Sequence, residues 1–277
     1  MSFHRTTLVL VALAAAVASM NAQAVANVAV ASHRYAPPAS SSFSAGEPTP
    51  AEMLLLGTML DDGFGVARNY DQARKWYERA ARVGEAEAMN RLGVMHAAGH
   101  GVPRNYALAL AWFGAAAKNG SISAINNIAM AYCHGLGVQQ SYVESAKWLT
   151  LGAVRGDARA ESRLAILYKE GLGIPRNPAI AIDLLQRAAA QRYAPAMANL
   201  ASMYAEGVGV ERDDVRAYAL LHAALQIGIP NDMREASYDL LGRLAARLNE
   251  VQRPKADQLS PEASAVALQG RDPVPQP

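Results

Sequence analysis

Apolar residues recur three and four positions apart along most of the chain between residues 49 and 228, the spacing that places them on one face of an α-helix. Two columns of such residues, with successive members thirty-six positions apart, are predicted to face a core. The first column is Leu56, Leu92, Ile128, Leu164 and Leu200, and the second is Met59, Met95, Ala131, Leu167 and Met203. Small residues that let two helices approach closely lie beside the first column: Gly57, Gly93, Ala129, Ala165 and Ala201.

Glycine pairs recur with the same period and predict where the first helix of each unit ends, because glycine readily takes the left-handed conformation just past a helix C-terminus. The pairs are Gly63 and Gly65, Gly99 and Gly101, Gly135 and Gly137, Gly171 and Gly173, and Gly207 and Gly209. A polar side chain that accepts hydrogen bonds from free backbone amides follows each pair and predicts the N-cap of a second helix. These residues are Asn69, Asn105, Ser141, Asn177 and Asp213. Each unit is therefore one helical hairpin.

Further signals mark the helix ends. Gln72 and Glu144 stand three residues after their caps and predict capping boxes, as does the segment Thr49-Pro50-Ala51-Glu52. A glycine column is expected to end the second helices, and only Arg192 interrupts it: Gly84, Gly120, Gly156 and Gly228.

These signals predict an all-α fold, a right-handed α/α superhelix of five 36-residue helix-turn-helix repeats with a C-terminal capping helix. The repeats are placed at 49–84, 85–120, 121–156, 157–192 and 193–228. A helical cap is expected at 229–268, with Tyr238, Leu241, Leu244 and Leu248 on its packed side, because a solenoid otherwise exposes the apolar face of its last repeat. A short helix is expected near Ser260-Pro261-Glu262, and a disordered tail at 269–277.

The first residues resemble a secretory signal at 1–24. Arg5 gives a positive start, an apolar run extends from Leu8 to Ala18, and Ala22-Gln23-Ala24 offers a cleavage site. We expect an exported protein, periplasmic or secreted, with no stable membrane insertion after cleavage; an uncleaved anchor is the alternative. Residues 25–48 lack a helical period and contain Pro37-Pro38, so they are predicted to form a flexible linker.

Composition excludes several classes of function. The chain has 26 basic and 24 acidic residues, a net charge of +2 that does not favour nucleic acid. Its one cysteine, Cys133, cannot form an intramolecular disulfide. The sequence contains no Gly-x-Ser-x-Gly elbow, no Ser-x-x-Lys and no phosphate-binding loop, so neither an enzyme nor a cofactor is expected.

The repeat units resemble the Sel-one-like repeats, relatives of the tetratricopeptide repeats. The resemblance rests on segments such as Ala88-Met89-Asn90-Arg91-Leu92-Gly93-Val94-Met95, Gly99-His100-Gly101-Val102-Pro103 and Ala109-Leu110-Ala111-Trp112-Phe113. It implies a scaffold or adaptor that binds a protein or peptide, often in the bacterial envelope. Some similar helicobacterial proteins have been described as cysteine-rich penicillin-binding enzymes, but their paired cysteines are missing here. A hydrolase of that kind is therefore the weakest alternative.

In tetratricopeptide-like solenoids the first helix of each hairpin lines the concave side. Polar residues beside the leucine column are therefore the candidate partner-binding residues, and an ordinary solvated helix face is the alternative. They are Arg91, Asn127, Arg163 and Asn199.

Three other groups of residues allow both a structural and a functional interpretation. An arginine column in the turns is expected to pair locally with Asp62, Glu170 and Glu206, or else to form a cationic strip: Arg68, Arg104, Arg176 and Arg212. His96 and His100 are four residues apart, but Gly99 interrupts the helix and no further ligands complete a set, so no metal site is expected. Trp76, Trp112 and Trp148 are assigned to the core. If exposed, they would suit an envelope glycan, and the alternative function is a peptidoglycan or exopolysaccharide binding or assembly factor.

Overall fold

The computed structural model describes residues 48–259, and those residues form helices and turns without a β-strand. The predicted signal, nearly all of the predicted linker, the expected helix near Ser260 and the tail lie outside the described residues. The helices are numbered in chain order. They are α1 (Pro50–Asp62), α2 (Tyr70–Arg82), α3 (Ala86–Ala98), α4 (Tyr106–Lys118), α5 (Ile122–His134), α6 (Tyr142–Val154), α7 (Ala158–Glu170), α8 (Pro178–Ala190), α9 (Ala194–Glu206), α10 (Asp214–Ile227), α11 (Asn231–Arg247) and α12 (Gln252–Gln258).

The ends of the helices follow the predicted signals. The first helix of each hairpin stops at a glycine in the left-handed region, as Gly63 does with φ of 73°. All five predicted N-caps accept a hydrogen bond from the amide three residues on; the Oδ1 of Asn105 lies 3.0 Å from the amide nitrogen of Leu108. The all-α fold of helical hairpins repeated at thirty-six residues is therefore confirmed.

Two of the three predicted capping boxes do not form. Thr49 and Glu52 make the reciprocal bonds of a box, and these hydrogen bonds lower the pKa of Glu52. Gln72 and Glu144 do not reach back to their N-caps; the carboxylate of Glu144 instead lies 2.6 Å from Lys147 Nζ. An ion pair three residues along the same helix face replaces the box at Glu144.

Where a hairpin precedes it closely, the second glycine of a pair has a role beyond ending the helix, as at Gly101, Gly137 and Gly209. A Cβ atom at Gly101 would lie 2.6 Å from the Cβ of Tyr70, the first residue of the preceding hairpin's second helix. At Gly209 the corresponding clash, at 2.5 Å, is with Pro178. These glycines are therefore required both by their positive φ and by the close approach of successive hairpins.

The described chain divides into two compact units, residues 48–155 with three hairpins (unit 1) and residues 156–259 with two hairpins and the terminal helices (unit 2). Among the predicted core columns, Leu92, Ile128, Leu164 and Leu200 are at most 2% exposed. Leu56 departs from the prediction at 36% exposed, because no hairpin precedes α1 among the described residues.

The terminal cap forms, but one of its predicted contacts is wrong. α11 and α12 both pack on α10, and Leu244, Leu248 and Ala256 are buried there. Tyr238 is 58% exposed, whereas its neighbour Ser237 is buried. The buried face of α11 therefore includes Ser237 and Leu244 but not Tyr238. No helix among residues 48–259 has the length and apolar character needed to cross a membrane.

Candidate functional site

An apolar groove of about 360 Å³ lies within unit 1, between the second hairpin and the first helix of the third. Its walls come from α3, α4 and α5. The side chains that shape it include Val94, Leu110, Phe113, Met130 and Leu136. Its lining also contains two residues with polar groups, Tyr106 and the predicted site residue Asn127. A mostly apolar concavity with a few placed polar groups is the usual form of a recognition site.

A chain of polar contacts connects Asn127 to Arg91. The Nδ2 of Asn127 donates to Oδ1 of Asn90 at 2.8 Å, and the Nδ2 of Asn90 donates to Glu87 at 3.0 Å. The other oxygen of Glu87 accepts from the hydroxyl of Ser121 at 3.3 Å, and Arg91 Nε lies 3.7 Å from the carboxylate. The structure therefore joins two predicted site residues through Glu87 and Asn90, which the sequence reasoning missed.

This polar chain fixes which polar groups remain available at the groove. Asn90 is 4% exposed, so its amide must keep both partners, and the Asn90–Asn127 bond ties α3 to α5 across successive hairpins. The side-chain amide of Asn127 donates one N–H in that bond. Its carbonyl oxygen can then accept a hydrogen bond from a ligand N–H. The side chain of Arg91 is 34% exposed, at the outer end of this chain of polar contacts. The arrangement suits a peptide segment with an apolar side chain and a free backbone amide.

The other two predicted residues, Arg163 and Asn199, lie in unit 2. Both are half-buried, on α7 and α9 respectively. Their part in partner binding stays a prediction, as does that of Arg91 and Asn127.

Unit 2 contains a buried ionic cluster that the sequence reasoning also missed. Glu161 is 1% exposed; it forms an ion pair with Arg187 and accepts from Gln191 Nε2 at 3.1 Å. Burial raises the pKa of Glu161, against the opposing effect of Arg187, and burial also raises the pKa of Asp183. A signal was available, since Glu161 occupies a column that is apolar in every other repeat: Met53, Met89, Ile125 and Met197.

The arginine column contacts helix ends and rings rather than the predicted carboxylates. Arg68 Nη2 donates to the backbone carbonyl of Asp62 at 3.2 Å, and Arg176 Nε donates to that of Lys169 at 2.9 Å. Arg212 pairs with Asp214, a residue not foreseen, while the guanidinium of Arg104 lies 5.6 Å from the centre of the Tyr106 ring. Carbonyls at a helix C-terminus lack helical partners, so these contacts stabilise the turns locally.

The two histidines considered for a metal do not converge. His100 stacks on Tyr70 with ring centres 4.9 Å apart. Burial, followed by the charge of Arg74, lowers the pKa of His96, and its Nδ1 is buried without a hydrogen-bond partner. Within residues 48–259 no three potential metal ligands cluster.

The tryptophans bear on the glycan alternative. Trp112 and Trp148 are 9% and 5% exposed, so neither offers a stacking face. Trp76 is half-buried, and the guanidinium of Arg79 lies 4.6 Å from its ring centre. The structure does not support the glycan partner.

Family comparison accounts for this architecture. The Sel1 repeat model matches residues 53–85, 86–121, 122–157, 158–193 and 194–236. The chain belongs to the Sel1 repeat family. The family resemblance expected from the sequence is confirmed, and the proteins of this family are generally scaffolds for protein–protein interaction.

Solved structures show the same fold. A protective antigen of uropathogenic Escherichia coli, c5321, displays an SLR fold and is 24% identical with a TM-score of 0.68. The match covers 83% of this chain and 50% of that one, so this chain spans only half the antigen's length. A Sel1 repeat protein from Oxalobacter formigenes is 29% identical with a TM-score of 0.65, over 76% of this chain and 86% of that one. Comparison with curated proteins returned no match.

Proposed function

We propose that this Sel1 repeat protein is a non-catalytic scaffold of the bacterial cell envelope, and that it binds a segment of a partner protein in the unit 1 groove. The observation that carries the proposal is the polar chain from Arg91 to Asn127 at an apolar groove. The apolar walls would hold a side chain, while the carbonyl oxygen of Asn127 would accept from the partner's backbone. A backbone contact of this kind tolerates varied partner sequences.

Arg163 and Asn199 are proposed as further contacts of the same partner class on unit 2. They belong to the same column as Arg91 and Asn127, with members thirty-six residues apart, which is the repetition expected of a solenoid that binds along successive first helices. Substitutions at these residues of unit 2 can be tested in the full-length chain separately from those in unit 1.

The proposed location rests on residues 1–24, whose charged start, apolar run and small-residue end form a secretory signal pattern. A fusion of residues 1–48 to a reporter enzyme that is active only outside the cytoplasm should be active. A fusion in which Leu8, Leu10 and Leu13 are replaced by Arg should be inactive. Activity of both fusions, or of neither, would contradict export.

Partner binding is tested with the full-length chain as bait in an envelope extract of the source organism. Each captured protein is then titrated against purified bait. Arg91→Ala with Asn127→Ala should weaken the affinity by about tenfold, because the double change removes the exposed cation and the free amide acceptor. Arg82→Ala removes an exposed arginine from α2, away from the groove, and is the matched control. Equal affinity of the double variant and the control, with helicity unchanged, would contradict binding at the groove.

A further inference from the structure

The outer face of the first hairpin exposes large apolar side chains. Leu55 and Leu56 of α1 are 58% and 36% exposed, and Phe64 and Val66 of the following turn are 78% and 42% exposed. We refer to these four residues as the α1 face. Large exposed apolar side chains concentrated in one hairpin point to a binding surface.

The position of Leu56 is buried wherever a hairpin precedes it within a unit. Leu92, the equivalent of Leu56, is 1% exposed, and Ile128 is fully buried. The start of α2 covers the next turn, because Tyr70 packs directly on Gly101. At the equivalent Gly65 the nearest atom to an added Cβ is the Met59 methyl at 3.9 Å, from its own hairpin. The α1 face is thus a stacking surface that no hairpin among residues 48–259 covers.

At the other end of the described residues, the last hairpin is covered by terminal helices. There α11 and α12 cover α10, and Leu244 is fully buried. Solenoids require such terminal caps, because the end repeat otherwise presents its core face to water. The first hairpin has the same requirement.

We propose that residues 25–47 of this same chain bind the α1 face and act as its N-terminal cap. The segment joins α1 directly at Pro48-Thr49, so it starts at one edge of the surface. α1 is about 20 Å long at 1.5 Å per residue. The thirteen residues from Tyr35 to Glu47 can extend to about 45 Å, so Tyr35 can reach Phe64 and Val66 beyond the far end of α1.

The chemistry of the segment fits the surface. Tyr35 and Phe43 are its aromatic residues and suit the exposed leucines and Phe64. Arg34 stands next to Tyr35, whereas α1 carries Glu52, Asp61 and Asp62 and no basic residue. A second copy of the chain would bring two acidic α1 helices together. A tethered segment also has a high effective concentration, in the millimolar range for a short flexible connection.

The test is hydrogen–deuterium exchange of the full-length chain. Tyr35→Ser with Phe43→Ser should speed exchange of the α1 amides by about fivefold, because uncovering the helix permits local opening. The amides of α9 should not change. Ser41→Ala with Ser42→Ala in the same segment keeps both aromatics and should exchange like the unaltered chain.

A reciprocal change on the surface identifies the occupant. Phe64→Ser removes a side chain that is mostly exposed, so the hairpin should still fold, and α1 exchange should rise as it does in the segment variant. Combining the two changes should raise α1 exchange little further than either change alone, since both remove the same contact. The proposal would be overturned if exchange of α1 were unchanged in the segment variant, or if the effects of the segment and Phe64 changes were additive. It would also be overturned if the unaltered chain lost its protection of α1 on dilution. The last result would assign the face to a second copy.

Discussion

A Cβ atom placed on Gly93 would lie 2.5 Å from the ring of Phe113, which is buried on the facing helix of the same hairpin. The first hairpin repeats the relationship, since a Cβ atom placed on Gly57 would lie 2.5 Å from the Tyr77 ring. In the other three hairpins the glycine becomes alanine and the aromatic residue becomes leucine. These pairs are Ala129 with Leu149, Ala165 with Leu185 and Ala201 with Leu221. The volume at each α–α crossing is thus conserved by paired changes.

Gly93→Ala should therefore lower the free energy of unfolding by about 2 kcal/mol, because the added methyl overpacks the crossing. Phe113→Leu in the same chain should recover much of that loss, since it recreates the alanine–leucine pair of the third hairpin. Thermal or urea unfolding of the two single variants and the double variant gives the coupling energy. Gly242→Ala is the control: that helical glycine has nothing within 4 Å, so alanine should stabilise by about 0.5–1 kcal/mol. Additive effects at Gly93 and Phe113 would contradict the volume argument.

Arg192 is the one non-glycine residue among residues 48–259 with a positive φ, 59°, and it stands in the glycine column that ends the second helices. The left-handed region costs an L-residue about 1–2 kcal/mol, partly offset by the greater unfolded-state entropy of glycine. Arg192→Gly should stabilise the protein by up to about 1 kcal/mol.

The reverse substitution is the matched control. Gly156→Arg introduces a side chain at φ of 77° where nothing crowds the Cβ, so it isolates the backbone cost. It should destabilise by about 1–2 kcal/mol. If both substitutions shift the melting temperature in the same direction, backbone strain does not govern this column.

The Glu161–Arg187 pair should respond asymmetrically to removal of each partner. Arg187→Met leaves a buried carboxylate without its cation and should cost about 3–5 kcal/mol near neutral pH. Glu161→Met restores the apolar residue of the other repeats, and the partly exposed Arg187 can turn to water. That variant should be as stable as the unaltered chain or more so.

The pH dependence of Arg187→Met supplies a second measurement. Burial already raises the pKa of Glu161, and loss of Arg187 removes the charge that opposes this rise. A carboxyl group whose pKa is higher in the folded state binds protons more readily there, so folding gains stability as the pH falls through that folded pKa. The deficit of Arg187→Met relative to the unaltered chain should therefore shrink on acidification from pH 7 toward pH 5. A constant deficit would place the cost in lost packing.

Trp76 should account for most of the fluorescence that acrylamide can quench. Trp112 and Trp148 are buried, whereas Trp76 is half-buried near the exposed end of unit 1. Trp76→Phe should lower the quenching constant, and Trp148→Phe should raise the average constant because it removes a protected fluorophore. Efficient quenching that persists in Trp76→Phe would show an accessible tryptophan elsewhere and reopen the glycan alternative.

The candidate site was only partly predictable. Asn127 and Arg91 followed from their place beside the leucine column, but Glu87 and Asn90 have no repeated pattern that marks them. Their importance comes from Ser121 and Asn127, more than thirty residues along the chain, which complete the bonds of Glu87 and Asn90. Sequence separation of this size hides the contact.

The sequence by itself determined the helices, their caps and their thirty-six-residue register. Those features depend on the backbone preferences of glycine and on short-range bonds such as Asn105 to the amide of Leu108. Only the tertiary structure decided that Leu56 is exposed while Leu92 is buried, that Tyr238 lies off the packed face of α11, and that Glu161 meets Arg187 in a core column. The physical reason is that periodicity assigns a side chain to a helix face, whereas burial and charge pairing depend on which element covers that face.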